Sequence, residues 1–253
     1  KWRHLSHRLY QLLLPSSLEM YEHVVILPDQ ALHFLPFELL CASDTGSQFS
    51  ELDYLFRTHS VAYAPSATRW LWQAGRAKEA LRGWAGFAPS YENQFIAQGD
   101  TQQNQALSLL VREGNLALPA AQQEVESLMR ITGGEIFVGK DATESRFKAI
   151  ASDYQVLHLA MHTLLEDEEP LFSKLLFQST DSTENGNLTI AELHALSLQA
   201  DLAVLSACNT GYGSLMPGEG VTSLSQAFTA AGCPSTVMSL WQVPDRETAD
   251  LMV

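Results

Sequence analysis

Two apolar runs constrain this chain more than anything else in it: Gln155-Val-Leu-His-Leu-Ala-Met-His162 and Asp201-Leu-Ala-Val-Leu-Ser-Ala-Cys208. Both have the length and composition of β-strands. Each carries a reactive side chain at its C-terminal end, which is where open α/β sheets place their chemistry. Cys208 follows His162 by 46 residues and leads into a turn, Asn209-Thr-Gly211. A thiol brought beside an imidazole is a nucleophile with its base.

The surrounding pattern predicts the sheet that would hold them. The first part of the chain reads as a helix over 4–14, a strand over 23–27, a strand over 60–64, a helix over 66–81 and a strand over 84–87. Residues 90–115 are rich in Gln, Asn, Ser and Gly and read as a linker, with a short helix at 107–112. Alternation is clearer beyond. A helix over 119–131, capped by Gly133-Gly134, leads to a strand over 135–138. Asp141-Ala-Thr-Glu144 resembles a capping box for a helix to Ile150. Strands follow over 155–161, 174–177, 201–206 and 235–241, with helices over 189–196 and 221–231 between them. Such alternation predicts an α/β fold with a mostly parallel sheet covered on both faces. The linker divides the chain into halves, 1–115 and 116–253.

Lys1 is not an initiator, and Asp245–Val253 reads as a helix just beginning. The chain is therefore expected to be a piece of a longer protein, short of a last helix or two. No signal peptide is read at its start, and no apolar run approaches the length of a membrane span. The formal charge of −14, from 29 acidic and 15 basic residues, disfavours nucleic acid as a partner. It is compatible with a basic peptide. Three scattered cysteines (Cys41, Cys208 and Cys233) argue against a disulfide framework. They suggest a reducing compartment, so a cytoplasmic location is expected.

Other candidate sites are weaker. Gly134–Lys140 mimics a phosphate loop, but Asp141 stands where Ser or Thr would hold magnesium. No Gly-x-Ser-x-Gly elbow occurs. His158, His162 and Cys208 could together bind zinc, yet a closed zinc site wants four ligands and no spacing pattern supplies them. No cofactor or metal is therefore expected, and His158 reads as a hydrogen-bonded strand residue. Glu166-Asp-Glu-Glu169 reads as a solvated loop that could rim a cleft for basic peptides. Asp245 lies just past the last strand, on the same edge as His162 and Cys208. Two readings stand for it: a helix N-cap, or a carboxylate that receives an arginine or lysine.

Several segments, taken in order, carry a family resemblance. They are Ile26-Leu-Pro-Asp29 with Leu35-Pro-Phe-Glu-Leu39, Ala64-Pro-Ser66, Leu118-Pro-Ala-Ala-Gln-Gln-Glu124, Val138-Gly139, Leu157-His-Leu-Ala-Met-His162, Leu205-Ser-Ala-Cys208-Asn-Thr-Gly211, Gly218-Glu-Gly220 and Leu240-Trp241. The set resembles the CHAT domain, a caspase-like cysteine protease family related to separase. A histidine about 50 residues ahead of the cysteine is also the caspase chain order.

The resemblance implies a caspase-type α/β/α sandwich in which a pseudo-protease-like half precedes the catalytic half. It implies His162 as the base and Cys208 as the nucleophile. The backbone N–H groups of Thr163 and Cys208 would form the oxyanion hole. Asp245 would accept a basic P1 side chain, with Ser206 as a further substrate-binding position. It also implies a protein substrate and tetratricopeptide repeats or another regulatory domain ahead of this segment. One position departs from the pattern: the residue after the histidine is commonly Gly and here is Thr163. That departure supports the rival expectation, a catalytically silent protease fold that serves as a regulated binding or scaffold module.

Overall fold

The helix expected over 4–14 runs as α1 (Trp2–Leu13). It stops where Leu14 turns extended ahead of Pro15, a position where proline disfavours helical backbone. The structure, a computed structural model, describes residues 1–29, 32, 35–64, 67–74, 82–91, 117–166, 169–179, 185–206, 220–239 and 243–253. Contacts divide the chain into two units, Lys1–Arg76 and Ala77–Val253.

In the first unit, β1 (His23–Ile26) pairs in parallel with β2 (Ser60–Tyr63), and α2 spans Ala67–Ala74. Leu18, Phe37, Leu40, Cys41, Leu52, Leu55 and Ala64 are its buried apolar residues among those described. Ser6 of α1 is buried with them. Its hydroxyl donates to the Leu39 carbonyl and accepts from the Cys41 N–H, which satisfies a polar group that burial would otherwise penalise.

The second unit runs β3 (Arg82–Pro89), α3 (Pro119–Thr132), β4 (Glu135–Gly139), α4 (Glu144–Ile150), β5 (Tyr154–Ala160), β6 (Thr163–Leu164), β7 (Lys174–Leu176), β8 (Asn187–Thr189), α5 (Ile190–His194), β9 (Leu202–Ser206), α6 (Gly220–Ala231), β10 (Ser235–Met238) and α7 (Asp245–Met252). Five strands form one sheet in the order β10-β9-β5-β3-β4, and every neighbouring pair is parallel. From the β4 edge inward, the strands are second, first, third, fourth and fifth in chain order. The order therefore reverses between β3 and β5, and a sheet of this kind opens its ligand crevice there, at the carboxyl ends. A separate antiparallel sheet joins β6, β7 and β8.

Side-chain alternation sends successive residues of each strand to opposite faces. Ala85, Phe87, Leu157, Leu159, Ala203 and Leu205 pack on one face with Phe147 of α4, Leu193 of α5 and Phe228 of α6. Ala88 and Ala160 pack on the other with Ala121 and Val125 of α3. The mixed α/β architecture with a mostly parallel central sheet is as expected.

The division of the chain falls elsewhere than at 115/116. β3 was expected in the first half, but it is flanked by β4 and β5 and belongs to the second unit. The polar composition that marked 90–115 as a boundary is equally the composition of an insertion between a strand and its crossover helix. Most of that segment, including the short helix expected at 107–112, lies outside the described residues.

Gly133 closes α3 at φ 74°, as expected of a glycine cap. Gly134 follows at φ 95°, and a Cβ there would stand 2.5 Å from the Trp84 carbonyl oxygen. The cap of α4 is Thr143, whose hydroxyl accepts from the Arg146 N–H, and not Asp141. β6 and β8 were not foreseen, because strands of two or three residues carry too little pattern to read. No described helix is long and apolar enough to cross a membrane.

Candidate active site

Parallel pairing brings the carboxyl ends of β3, β5 and β9 to one edge. Ala160 pairs with Ser206, and the Met161 N–H extends the ladder by donating to the Ser206 carbonyl at 3.3 Å. His162 is two residues past Ala160 and is fully buried. Its N–H donates to the Tyr91 hydroxyl at 3.0 Å, and its carbonyl accepts from the Leu176 N–H at 2.9 Å. The Tyr91 hydroxyl in turn donates to the Leu176 carbonyl at 2.8 Å. The Tyr91 and His162 rings lie 5.0 Å apart between centroids. Thr163 begins β6 opposite Leu175 and is 1% exposed. Cys208 lies outside the described residues.

Behind this edge sits a buried polar cluster. Glu124 of α3 bonds the Nε2 of His158 on β5 at 2.5 Å and accepts from the Ser206 Oγ of β9 at 2.9 Å. Glu124, His158 and Ser206 are all nearly or wholly buried. One carboxylate thus ties a helix to two neighbouring strands at the level where β9 ends. The Ser206 side chain, expected from the sequence at a substrate-binding position, is turned into this cluster and donates its proton to Glu124. His158 is the hydrogen-bonded strand residue it was read to be. Among the described residues no group of three metal-ligating side chains occurs.

Asp245 opens α7, and Pro244 holds the cap position of that helix. The Asp245 carboxylate instead accepts from the Ala120 N–H, 2.9 Å away in the first turn of α3. It therefore caps a neighbouring helix, where the N-terminal N–H groups lack intrahelical partners. Its Oδ1 is buried and has no partner among the described residues. Desolvation raises the Asp245 pKa above the ordinary carboxylate value, the Ala120 N–H offsets part of this, and the negative field of Glu124 adds to it.

The CHAT domain profile matches residues 3–253. The chain belongs to the CHAT domain family. Tetratricopeptide repeat protein 28 of Homo sapiens is 24% identical over 258 residues, which cover 88% of this chain and 10% of that protein. The protein of the same name from Mus musculus matches to the same extent. The chain spans about a tenth of the length of these curated relatives.

In this CHAT domain the described site includes two residues that sequence reasoning passed over. Glu124 carried a signal: it is a charge set among Ala120, Ala121 and Val125 on the one buried face of α3. A carboxylate on an apolar stripe needs buried partners, and His158 and Ser206 were the polar breaks in the facing strands. Tyr91 carried almost none, since a tyrosine two residues past the end of β3 has no periodic pattern to place it.

Proposed function

We propose that this CHAT domain is a cysteine endopeptidase of caspase and separase type, with Cys208 as nucleophile and His162 as base. The observation that carries the reading is the register of β5 and β9: their last paired residues, Ala160 and Ser206, each precede a member of the dyad by two positions. Family membership supports a caspase-like three-layer sandwich, with a pseudo-protease-like portion ahead of the catalytic one.

The Cys208 thiolate attacks the scissile carbonyl carbon, and His162 gives its proton to the amine as the C–N bond breaks. Water then hydrolyses the thioester, releasing the acid and restoring the thiol. Backbone N–H groups of Thr163 and Cys208 hold the oxyanion, a contribution of about 3 kcal/mol per donor. Asp245, a partly buried carboxylate with a raised pKa, accepts a basic P1 side chain, whose arrival returns it to the ionised form. The substrate is a protein, the setting is cytoplasmic, and tetratricopeptide repeats or another regulatory domain lie upstream in the full-length chain. The names of the human and mouse relatives support that last point.

The test is labelling by an acyloxymethyl ketone peptide ending in arginine, with the modified residue located by mass spectrometry. Label on Cys208 that disappears in Cys208→Ala supports the reading. A probe that never labels Cys208, with or without candidate partners, refutes it in favour of a silent scaffold. Two observations favour that second reading: Thr163 in place of glycine, and an imidazole with no exposed surface.

A further inference from the structure

Tyr91 and His162 meet at the point where the strand order reverses, Tyr91 just past β3 and His162 just past β5. Three hydrogen bonds close a ring among Tyr91, His162 and Leu176. The His162 N–H donates to the phenol oxygen, the phenol donates to the Leu176 carbonyl, and the Leu176 N–H donates to the His162 carbonyl. Both backbone polar groups flanking the His162 side chain are thereby fixed, one to a side chain from β3 and the other to β7. The phenol ring also packs against the imidazole, tilted by 42°.

We infer that Tyr91 is a positioning residue for His162, holding its backbone and ring in one orientation at the rim of the sheet. Two features suit it to this task. The hydroxyl must both donate and accept, which only the neutral phenol does, and burial pushes its pKa far above the ordinary tyrosine value. The residue that bears it follows interior strand β3 by two positions, so the β3–β5 ladder holds its oxygen close to the end of β5. An imidazole that serves as a base needs its reactive nitrogen held to a fraction of an ångström. The five-stranded sheet alone does not provide this, since His162 lies beyond the last paired residue of β5.

The inference rests on the dyad reading for its catalytic meaning, and the experiment separates the two. Tyr91→Phe keeps the ring and removes the oxygen. Tyr154→Phe is the control: it is a similarly buried tyrosine of the same unit, whose hydroxyl serves Arg82 instead.

In each protein, amide hydrogen exchange at His162 and the NMR titration of its imidazole report orientation directly. The pH profile of Cys208 alkylation by iodoacetamide reports the dyad. Tyr91→Phe is expected to speed exchange at His162 at least ~10-fold and to shift the imidazole titration. It is also expected to slow alkylation near pH 6.5 by about 5- to 10-fold by raising the thiol toward its free pKa of about 8.5. Tyr154→Phe is expected to leave all three unchanged.

A folded Tyr91→Phe protein whose His162 exchange and titration match the wild type overturns the inference. Wild-type protein whose Cys208 alkylates as an ordinary thiol overturns the dyad instead, and leaves the His162 measurements to decide the role of Tyr91.

Discussion

Glu124 on α3 meets His158 on β5 through a 2.5 Å contact inside the helix–sheet interface, and the other oxygen of the same carboxylate receives the Ser206 hydroxyl. Helix α3 and strands β5 and β9 are thus joined through one buried side chain. Removing one member of a buried charged or hydrogen-bonded set leaves the others desolvated and unpaired, which costs more than the bonds themselves were worth. Glu124→Ala is therefore expected to lose about 3 kcal/mol of unfolding free energy in urea. Glu124→Gln, which still accepts from Ser206, is expected to lose about half as much. A double-mutant cycle with Ser206→Ala should return a coupling of about 1 kcal/mol. Strict additivity would show that the bond to Ser206 contributes nothing.

Asp245 makes a prediction about pH. Its raised pKa means that the folded state holds the proton more tightly than the unfolded chain does. That stabilisation is complete below the unfolded carboxylate pKa and is lost as pH rises through the folded value. Asp245→Asn keeps an oxygen to accept from the Ala120 N–H but cannot ionise. Its stability relative to wild type should accordingly improve as pH rises from 4 to 8, and Glu124→Gln should reduce the effect by removing one of its causes. Asp245→Ala shares that pH dependence but also loses the cap, and is expected to be about 1 kcal/mol less stable than Asp245→Asn at every pH. Thermal melts across that range check all three, and a wild-type to Asp245→Asn gap that widens in the opposite direction contradicts the assignment.

For the proposed peptidase activity, the informative measurement is a peptide panel varied at P1. A charge-assisted pair with Asp245 is worth about 1.5–3 kcal/mol. This corresponds to about a 10- to 100-fold preference in kcat/KM for Arg and Lys over Met or Asn. Asp245→Asn should flatten the panel without abolishing labelling of Cys208. Equal rates for basic and neutral P1 residues would remove Asp245 from the specificity pocket.

Gly134 tests the junction between α3 and β4. Any side chain there has to tolerate a left-handed backbone and a carbonyl oxygen 2.5 Å from its Cβ. Gly134→Ala is expected to cost about 2 kcal/mol or more in chemical denaturation. Gly133→Ala, with open space around its Cβ position, should cost less. Equal losses at the two sites would mean that the close approach to Trp84 is relieved by a small shift.

The parts of this chain that were legible in the sequence are those governed by local pattern. Leu157, Leu159, Ala203 and Leu205 announced buried strands, and the helix expected from Thr189 onward is α5, with Thr189 as its cap. His162 could be placed at a strand end because the apolar run stopped there. What stayed hidden depended on which strands became neighbours. Nothing local to Glu124 says that its partners lie on β5 and β9, or that Asp245 would cap α3 and not its own helix. Tyr91 is recognisable only once β3 is known to lie beside β5. The expected division at 115/116 missed for the same reason: composition reports that a segment is a connection, but not whether it joins two domains or two strands of one sheet.

The placement of β3 has a consequence for how this sheet is built. It is the first of the five strands to leave the ribosome, yet it occupies an interior position. Both of its neighbours, β4 and β5, have been synthesised once Ala160 is made. The remaining two strands then add outward on one side only, β9 against β5 and β10 against β9. Synthesis thus supplies β3 and the strands for both of its flanks first, and the segment that ends in Tyr91 has both partners available in the chain before Cys208 has been synthesised.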